Sequence, residues 1–253
     1  SGIMVRRRAV DTADRAPSSD KLPLLYRTLV QLAPERHHGL RVLDRKDYGF
    51  AANANVIPLT VDEFPVAMRH YPIVLAPGEP ATPVALVGFE RGQNAHVDAD
   101  GQWKNGAYIP AYVRRYPFGL VRESAEAERH ILCADMSSTL LGEGDEGQPL
   151  FDADGQPADA AKRALDFCQR YVASTERTRA VMREAQELGL IGPSEVTISR
   201  GDRKQKVDGF ALVSEEKLRA LDDATLGGLV RRGVTSLYAA HQMSLANFTE
   251  FGA

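Results

Sequence analysis

Residues 64–75 and 109–120 are two versions of one pattern. Phe64-Pro65-Val66-Ala67-Met68-Arg69-His70-Tyr71-Pro72-Ile73-Val74-Leu75 aligns with Ile109-Pro110-Ala111-Tyr112-Val113-Arg114-Arg115-Tyr116-Pro117-Phe118-Gly119-Leu120, and five of the twelve positions are identical. Downstream of each, the string Asp-Ala-Asp-Gly-Gln recurs, at 98–102 and at 152–156. Pro65 and Pro110 suit the first turn of a helix, where a missing N–H costs nothing. Pro72 and Pro117 end those helices, because the residue before a proline avoids the α region. Each copy then runs into β-rich sequence, near 72–76 and 83–90 in the first and 117–122 and 129–134 in the second, and closes on an Asp-Gly turn. The pattern predicts an α+β fold in which a duplicated α-β-β-β unit forms one mixed or antiparallel sheet.

The rest of the chain divides around this pair. Residues 1–20 are polar and read as a flexible arm, with Ser1-Gly2-Ile3 ahead of Met4 as a cloning remnant. Residues 21–156 form the β-rich part, beginning irregularly with extended candidates at 41–43 and 55–59. From 157 to 253 the chain is mainly helical, packed on the β-rich part as one domain. Ala161, Ala164, Phe167/Cys168, Tyr171 and Thr175 recur at helical spacing and predict one long or bent helix over about 157–189, stopped by Gly189. A hairpin follows at about 196–213 around Gly201-Asp202. Ser214 and Asp222 are then N-caps, and Gly233 precedes a last helix over about 234–249.

Few motifs carry chemistry. Both Asp-x-Asp-Gly strings fail as EF-hands, since the twelfth loop position is Ile109 in one and Arg163 in the other, where a glutamate is required. They read as tight turns. His96-Val97-Asp98 matches half of an iron(II) facial triad, which His130 or His241 would complete for an oxygenase or hydroxylase. The rival reading of His96 is a surface histidine on a hairpin, and no cofactor is predicted apart from that iron alternative. Gly-rich phosphate loops, nucleophile elbows and Cys-x-x-Cys pairs are absent. Whether the protein is an enzyme is left open.

The run from Trp103 to Phe118 stands apart, with five aromatic residues, three cations and no acid. Aromatic area beside guanidinium groups is the material of binding hot spots. Because Arg114, Tyr116 and Pro117 repeat Arg69, Tyr71 and Pro72, they read first as architecture. The second copy adds Trp103, Tyr108, Tyr112 and Arg115. Two readings of this face stay open. In one, Trp103, Tyr108 and Tyr112 supply apolar area and Arg114 or Arg115 recognises charge on a protein, a peptide or a small anionic or aromatic ligand. In the other, the tyrosines are core and rim of a scaffold.

The 31 basic and 34 acidic residues give a net charge of −3, no footing for nucleic-acid binding. No apolar stretch reaches the roughly 18 residues of a membrane helix, so no membrane insertion is expected. Cys133 and Cys168 read as buried free thiols in a reducing, cytoplasmic compartment. Oligomers, including a structural subunit of a larger assembly, are left open.

Leu24-Leu25-Tyr26, His70-Tyr71-Pro72-Ile73, Gly88-Phe89-Glu90, the run Trp103 to Phe118, Asp208-Gly209-Phe210 and Ala240-His241-Gln242-Met243-Ser244-Leu245 together resemble the SapC family, over about residues 21–250. That bacterial family takes its name from a gene in a surface-layer protein locus. The resemblance implies an intracellular accessory protein linked to surface-layer export. It carries over no catalytic residue.

Overall fold

The two copies of the repeated pattern build the same local structure and then part company. In this computed structural model, which describes residues 3–7, 22–122, 129–200 and 202–249, both Asp-Ala-Asp-Gly-Gln strings form one kind of turn. Asp98 Oδ1 accepts the N–H groups of Asp100 and Gln102, and Asp152 Oδ1 accepts those of Asp154 and Gln156. Gly101 and Gly155 both sit at φ 74°, a left-handed angle that glycine adopts freely. Each turn is closed by an isolated antiparallel bridge, Val97 to Trp103 in the first and Phe151 to Pro157 in the second. The turns are therefore held by their own aspartates, as their sequence predicts.

The strands, in chain order, are β1 (Ile3–Arg7), β2 (Leu29–Gln31), β3 (Leu40–Val42), β4 (Val56–Pro58), β5 (Ile73–Ala76) and β6 (Thr82–Leu86). They continue with β7 (Phe118–Arg122), β8 (His130–Asp135), β9 (Leu141–Glu143), β10 (Gln148–Pro149), β11 (Ile191–Arg200) and β12 (Arg203–Val213). The helices are α1 (Pro34–His37), α2 (Phe64–Ala67), α3 (Ala111–Arg115), α4 (Asp159–Glu187), α5 (Glu215–Arg219), α6 (Asp223–Arg231) and α7 (Val234–Ser244). The fold is α+β, and every strand pairing is antiparallel.

One sheet was expected from the repeat, and the described residues form three. The first copy's hairpin, β5–β6, lies inside a six-stranded sheet ordered β1-β11-β12-β5-β6-β4. The second copy's hairpin, β7–β8, is completed by β2, and β10-β3-β9 form a small third sheet. The reason is that each hairpin takes its neighbours from outside the repeat. β4 and β12 flank the first, β2 flanks the second, and nothing in the repeated residues encodes those partners. The expected arm also needs revision at its start. Residues 3–7, assigned to a cloning remnant and a flexible arm, pair with β11 from Ile3 opposite Ile198 to Arg7 opposite Ser194, because that edge of the sheet would otherwise present unpaired backbone groups. The remainder of the arm, 8–20, lies outside the described residues.

The C-terminal part is helical around one long hairpin, whose first strand starts at Ile191 and takes in Gly192 and Pro193. The long helix is α4, and Gly189 ends it at φ 69°. Ser214 accepts the N–H of Lys217, Asp222 accepts that of Thr225, and Gly233 stands at φ 73° before α7. Residues on both sides of position 157 share one core, in which Tyr71, Phe64, Ile73, Met182, Leu229 and Tyr238 are almost wholly buried. The hairpin β11–β12 extends the main sheet.

Its backbone junction with the rest of that sheet is narrow. β12 pairs with β5 only at Ala211 opposite Leu75. Beyond that point α7 supplies substitutes for backbone rungs. The Val213 N–H donates to His241 Nε2 at 3.1 Å, while His241 Nδ1 lies 2.7 Å from the Ile73 carbonyl oxygen. Since Nε2 accepts, Nδ1 carries the proton, and the ring is neutral. The Ile73 N–H donates in turn to Ser244 Oγ at 2.8 Å. His241 is 1% exposed, and burial pushes its imidazole down to about 4, against the opposing pull of the Ile73 carbonyl.

This gives a stability prediction with a definite sign. The unfolded chain binds a proton at His241 near pH 6.5 and the folded chain only near 4, so folding stability from this group is intact above pH 6.5 and lost as pH falls toward 4. Chemical denaturation of the protein and of His241→Gln should show a stability difference that shrinks by about 3 kcal/mol between pH 7 and pH 4. A difference independent of pH would show that His241 does not stitch the seam in its neutral form.

Candidate functional site

The short helix α3 begins after Pro110 and ends before the Tyr116-Pro117 bond, as the prolines require, and it lies against α4. The contact is made by a cation among phenols. The Arg115 guanidinium stands 4.6 Å from the Tyr112 ring centroid, 4.8 Å from that of Tyr171 and 5.4 Å from that of Tyr26. Its Nε donates to Tyr26 Oη at 3.2 Å, and no carboxylate among the described residues pairs with it. Ring quadrupoles thus do the work that an acid does elsewhere, each such contact contributing about 0.5–2 kcal/mol. Tyr26 donates to the Phe118 carbonyl at 2.5 Å and Tyr112 to the Leu24 carbonyl at 2.7 Å. Between them Leu25 holds a left-handed φ of 77°, unusual for a branched residue, which turns the chain so that both contacts are made. Burial pushes the Tyr26 and Tyr171 phenols well above their ordinary range, so neither ionises near neutrality.

A buried carboxylate sets the other side. Glu63 Oε2 accepts the N–H of Thr60 at 2.8 Å and its hydroxyl at 3.0 Å. Its Oε1 accepts the Tyr108 hydroxyl at 2.9 Å and the Ala111 N–H at 2.7 Å. Glu63 therefore ties the start of α2 to the start of α3, one copy of the repeat to the other. Burial, with Glu63 adding to it and Arg114 opposing, pushes the Tyr108 phenol up to about 12. Asp135, fully buried at the end of β8, plays a similar part. Burial alone would raise its pKa, but hydrogen bonds from Ser137 and from the Arg27 and Thr28 N–H groups outweigh it and hold the carboxyl below its ordinary value.

Between α3 and α4 these fixtures leave a groove of about 670 Å³. Tyr108, Phe167 and Tyr171 line it with aromatic surface, and Arg114, Arg170 and Arg177 bring guanidinium groups to it. Arg177 is bound to Asp62, whose carboxyl is held low because the Arg177 and Ser174 hydrogen bonds exceed the effect of burial. Arg170 pairs with Asp166 at 2.7 Å along α4. Arg114 is different. It is exposed, lies 5.5 Å from the Phe167 ring and 5.6 Å from that of Tyr108, and donates to the Ile109 carbonyl and the Tyr108 hydroxyl. All its direct partners are neutral.

The site expected on the 103–118 face is thereby redrawn. Trp103 and Tyr112 are each 7% exposed and face the core. The Trp103 indole donates to Tyr71 Oη at 3.0 Å, and Tyr71 donates onward to the Tyr108 carbonyl at 2.5 Å. These two aromatics are turned inward because the core offers their polar atoms acceptors, so they present no contact area. Arg115 is enclosed by its tyrosines. Tyr108 and Arg114 remain at the surface, and Arg114 is the residue that the repeat marked as architecture. Arg170, Ser174 and Arg177 of α4 were missed as contributors, although they follow helical spacing beside the apolar stripe that holds Phe167 and Tyr171.

The four metal candidates do not converge. His96 Nδ1 lies 3.0 Å from the Val87 carbonyl and its ring stacks on Trp103. Asp98 caps its own turn, His130 lies on β8, and both His241 nitrogens are engaged with backbone in the main sheet. Among the described residues no group of three or more His, Cys, Asp or Glu is placed to hold a metal ion. Cys133 and Cys168 are buried free thiols, and burial, partly offset by Arg115, pushes Cys168 up to about 11.

Fold and site define an antiparallel α+β protein that carries an aromatic groove edged with arginines. The chain belongs to the SapC family, whose model matches residues 32–251. Comparison with curated proteins gave no match, and neither did comparison with solved structures. No helix among the described residues is long and apolar enough to cross a membrane.

Scaffold and surface roles separate by mutation. Glu63→Gln, which turns an amide N–H₂ toward existing donors, should cost about 3 kcal/mol of folding stability, and Trp103→Ala about 3–5 kcal/mol. Arg114→Ala should cost no more than about 1 kcal/mol. Denaturant melts of the three variants provide the check.

Proposed function

We propose that the protein is an accessory binding protein that captures an acidic, aromatic segment of a partner protein, or a small anionic aromatic ligand, in the α3–α4 groove. The observation that carries this reading is Arg114, an exposed guanidinium flanked by two aromatic rings with only neutral direct partners. A guanidinium so placed offers paired donors to a carboxylate or phosphate. Phe167 and Tyr108 offer faces to a flat group. The groove's volume lies within the range of ordinary ligand sites, about 300–1,000 Å³. The resemblance that led to the family supports a partner concerned with surface-layer export, and the two buried free thiols are consistent with action in the reducing cytoplasm.

The test is calorimetric titration with three short capped peptides that differ in one residue, Phe-Glu, Phe-Gln and Phe-Lys. The glutamate peptide should bind and the lysine peptide should not. Arg114→Ala, and equally Arg114→Lys, should weaken the glutamate peptide about tenfold or more while leaving the melting temperature in place. Equal binding of all three peptides, or binding indifferent to Arg114, refutes the reading.

A further inference from the structure

The two turns that match so closely differ at the residue that follows them. After Asp-Ala-Asp-Gly-Gln the first copy has Trp103 and the second has Pro157. Both residues form the closing bridge of their turn, Trp103 with Val97 and Pro157 with Phe151. In the first copy the indole is buried and hydrogen-bonded. In the second, Pro157 and Phe151 line an open pocket of about 390 Å³ between the start of β8 and the first turns of α4. The second copy thus keeps the turn, has proline where the first has tryptophan, and carries its aromatic across the bridge at Phe151.

The surroundings indicate what this pocket would hold. Leu32, Leu132, Phe151 and Leu165 give the pocket an apolar interior. Arg129, His130 and Lys162 stand around it, and no aspartate or glutamate among the described residues lines it. Among the described residues neither Arg129 nor Lys162 is in an ion pair.

We infer that this pocket is a second ligand site, separate from the α3–α4 groove, and that it takes a small aromatic carboxylate. The ring occupies the apolar interior beside Phe151 and Pro157, and the carboxylate meets Arg129 and Lys162 at the mouth. An aromatic amine of the same shape is disfavoured, because its cation would face Arg129 and Lys162 with no acid among the described lining residues to receive it.

Indole-3-acetate, tryptamine and 3-methylindole provide a matched set, anionic, cationic and neutral, for calorimetric titration of the full chain. Indole-3-acetate should bind, and tryptamine should bind about tenfold more weakly or not at all. The double variant Arg129→Glu with Lys162→Glu alters exposed side chains and should reduce indole-3-acetate binding by about tenfold or more. Pro157→Trp should fill the pocket and abolish binding, while Arg114→Ala should leave it unchanged. Circular dichroism confirms that each variant is folded. Equal affinity for the acid and the amine overturns the proposal, as does tighter binding of decanoate than of indole-3-acetate. No heat with indole-3-acetate, or binding that survives in folded Pro157→Trp, overturns it too.

Discussion

The Arg115 guanidinium, enclosed by Tyr26, Tyr112 and Tyr171, holds together three parts of the chain that are remote in sequence: the segment before β2, the helix α3 and the long helix α4. With no carboxylate among the described residues beside it, the cation depends on the faces of the rings and on a phenol oxygen, and the rings pack around it. The α3–α4 groove exists because this contact fixes the distance between the helices that wall it. Glu63 complements the arrangement from the other end of α3, where four donors converge on one carboxylate. A half-buried cation and a buried acid thus stabilise neighbouring parts of the same core, each satisfied by neutral groups.

Much of the local structure was legible in the sequence because its causes are local. Prolines bound α3, aspartates close the two matching turns, and Ser214, Asp222 and Gly233 mark the helix ends where they stand. The partition of the strands into three sheets was not legible, since it rests on which distant segment supplies each hairpin with a neighbour. The 103–118 run shows the same limit for a site. Its composition is equally that of a binding face and of a core. The decision falls to Tyr71, which accepts from the Trp103 indole, and to the Leu24 carbonyl, which accepts from Tyr112; neither lies within the run. Glu63 and Asp135 escaped notice because a single acid in sequence looks solvated, whatever donors the fold gathers around it.

The two copies of the repeated pattern have matching turns and different partners. Tyr71 donates to the Tyr108 carbonyl, whereas its counterpart Tyr116 reaches toward Asp135 and stacks 3.9 Å from Phe50. Equivalent positions therefore perform different tasks in one chain.

The seam between β5 and β12 is carried by one backbone pairing and by two side chains of α7. The register of Ile73–Ala76 against Thr82–Leu86 is set by their own pairings, while Val196, Ile198, Phe210 and Leu212 of the β11–β12 arm pack with Val74, Val84 and Leu86 in one apolar cluster. Packing and backbone pairing are thus divided at this seam: side chains join the two halves of the sheet across its face, while a neutral histidine and a serine fasten the backbone at Val213 and Ile73 in place of further rungs.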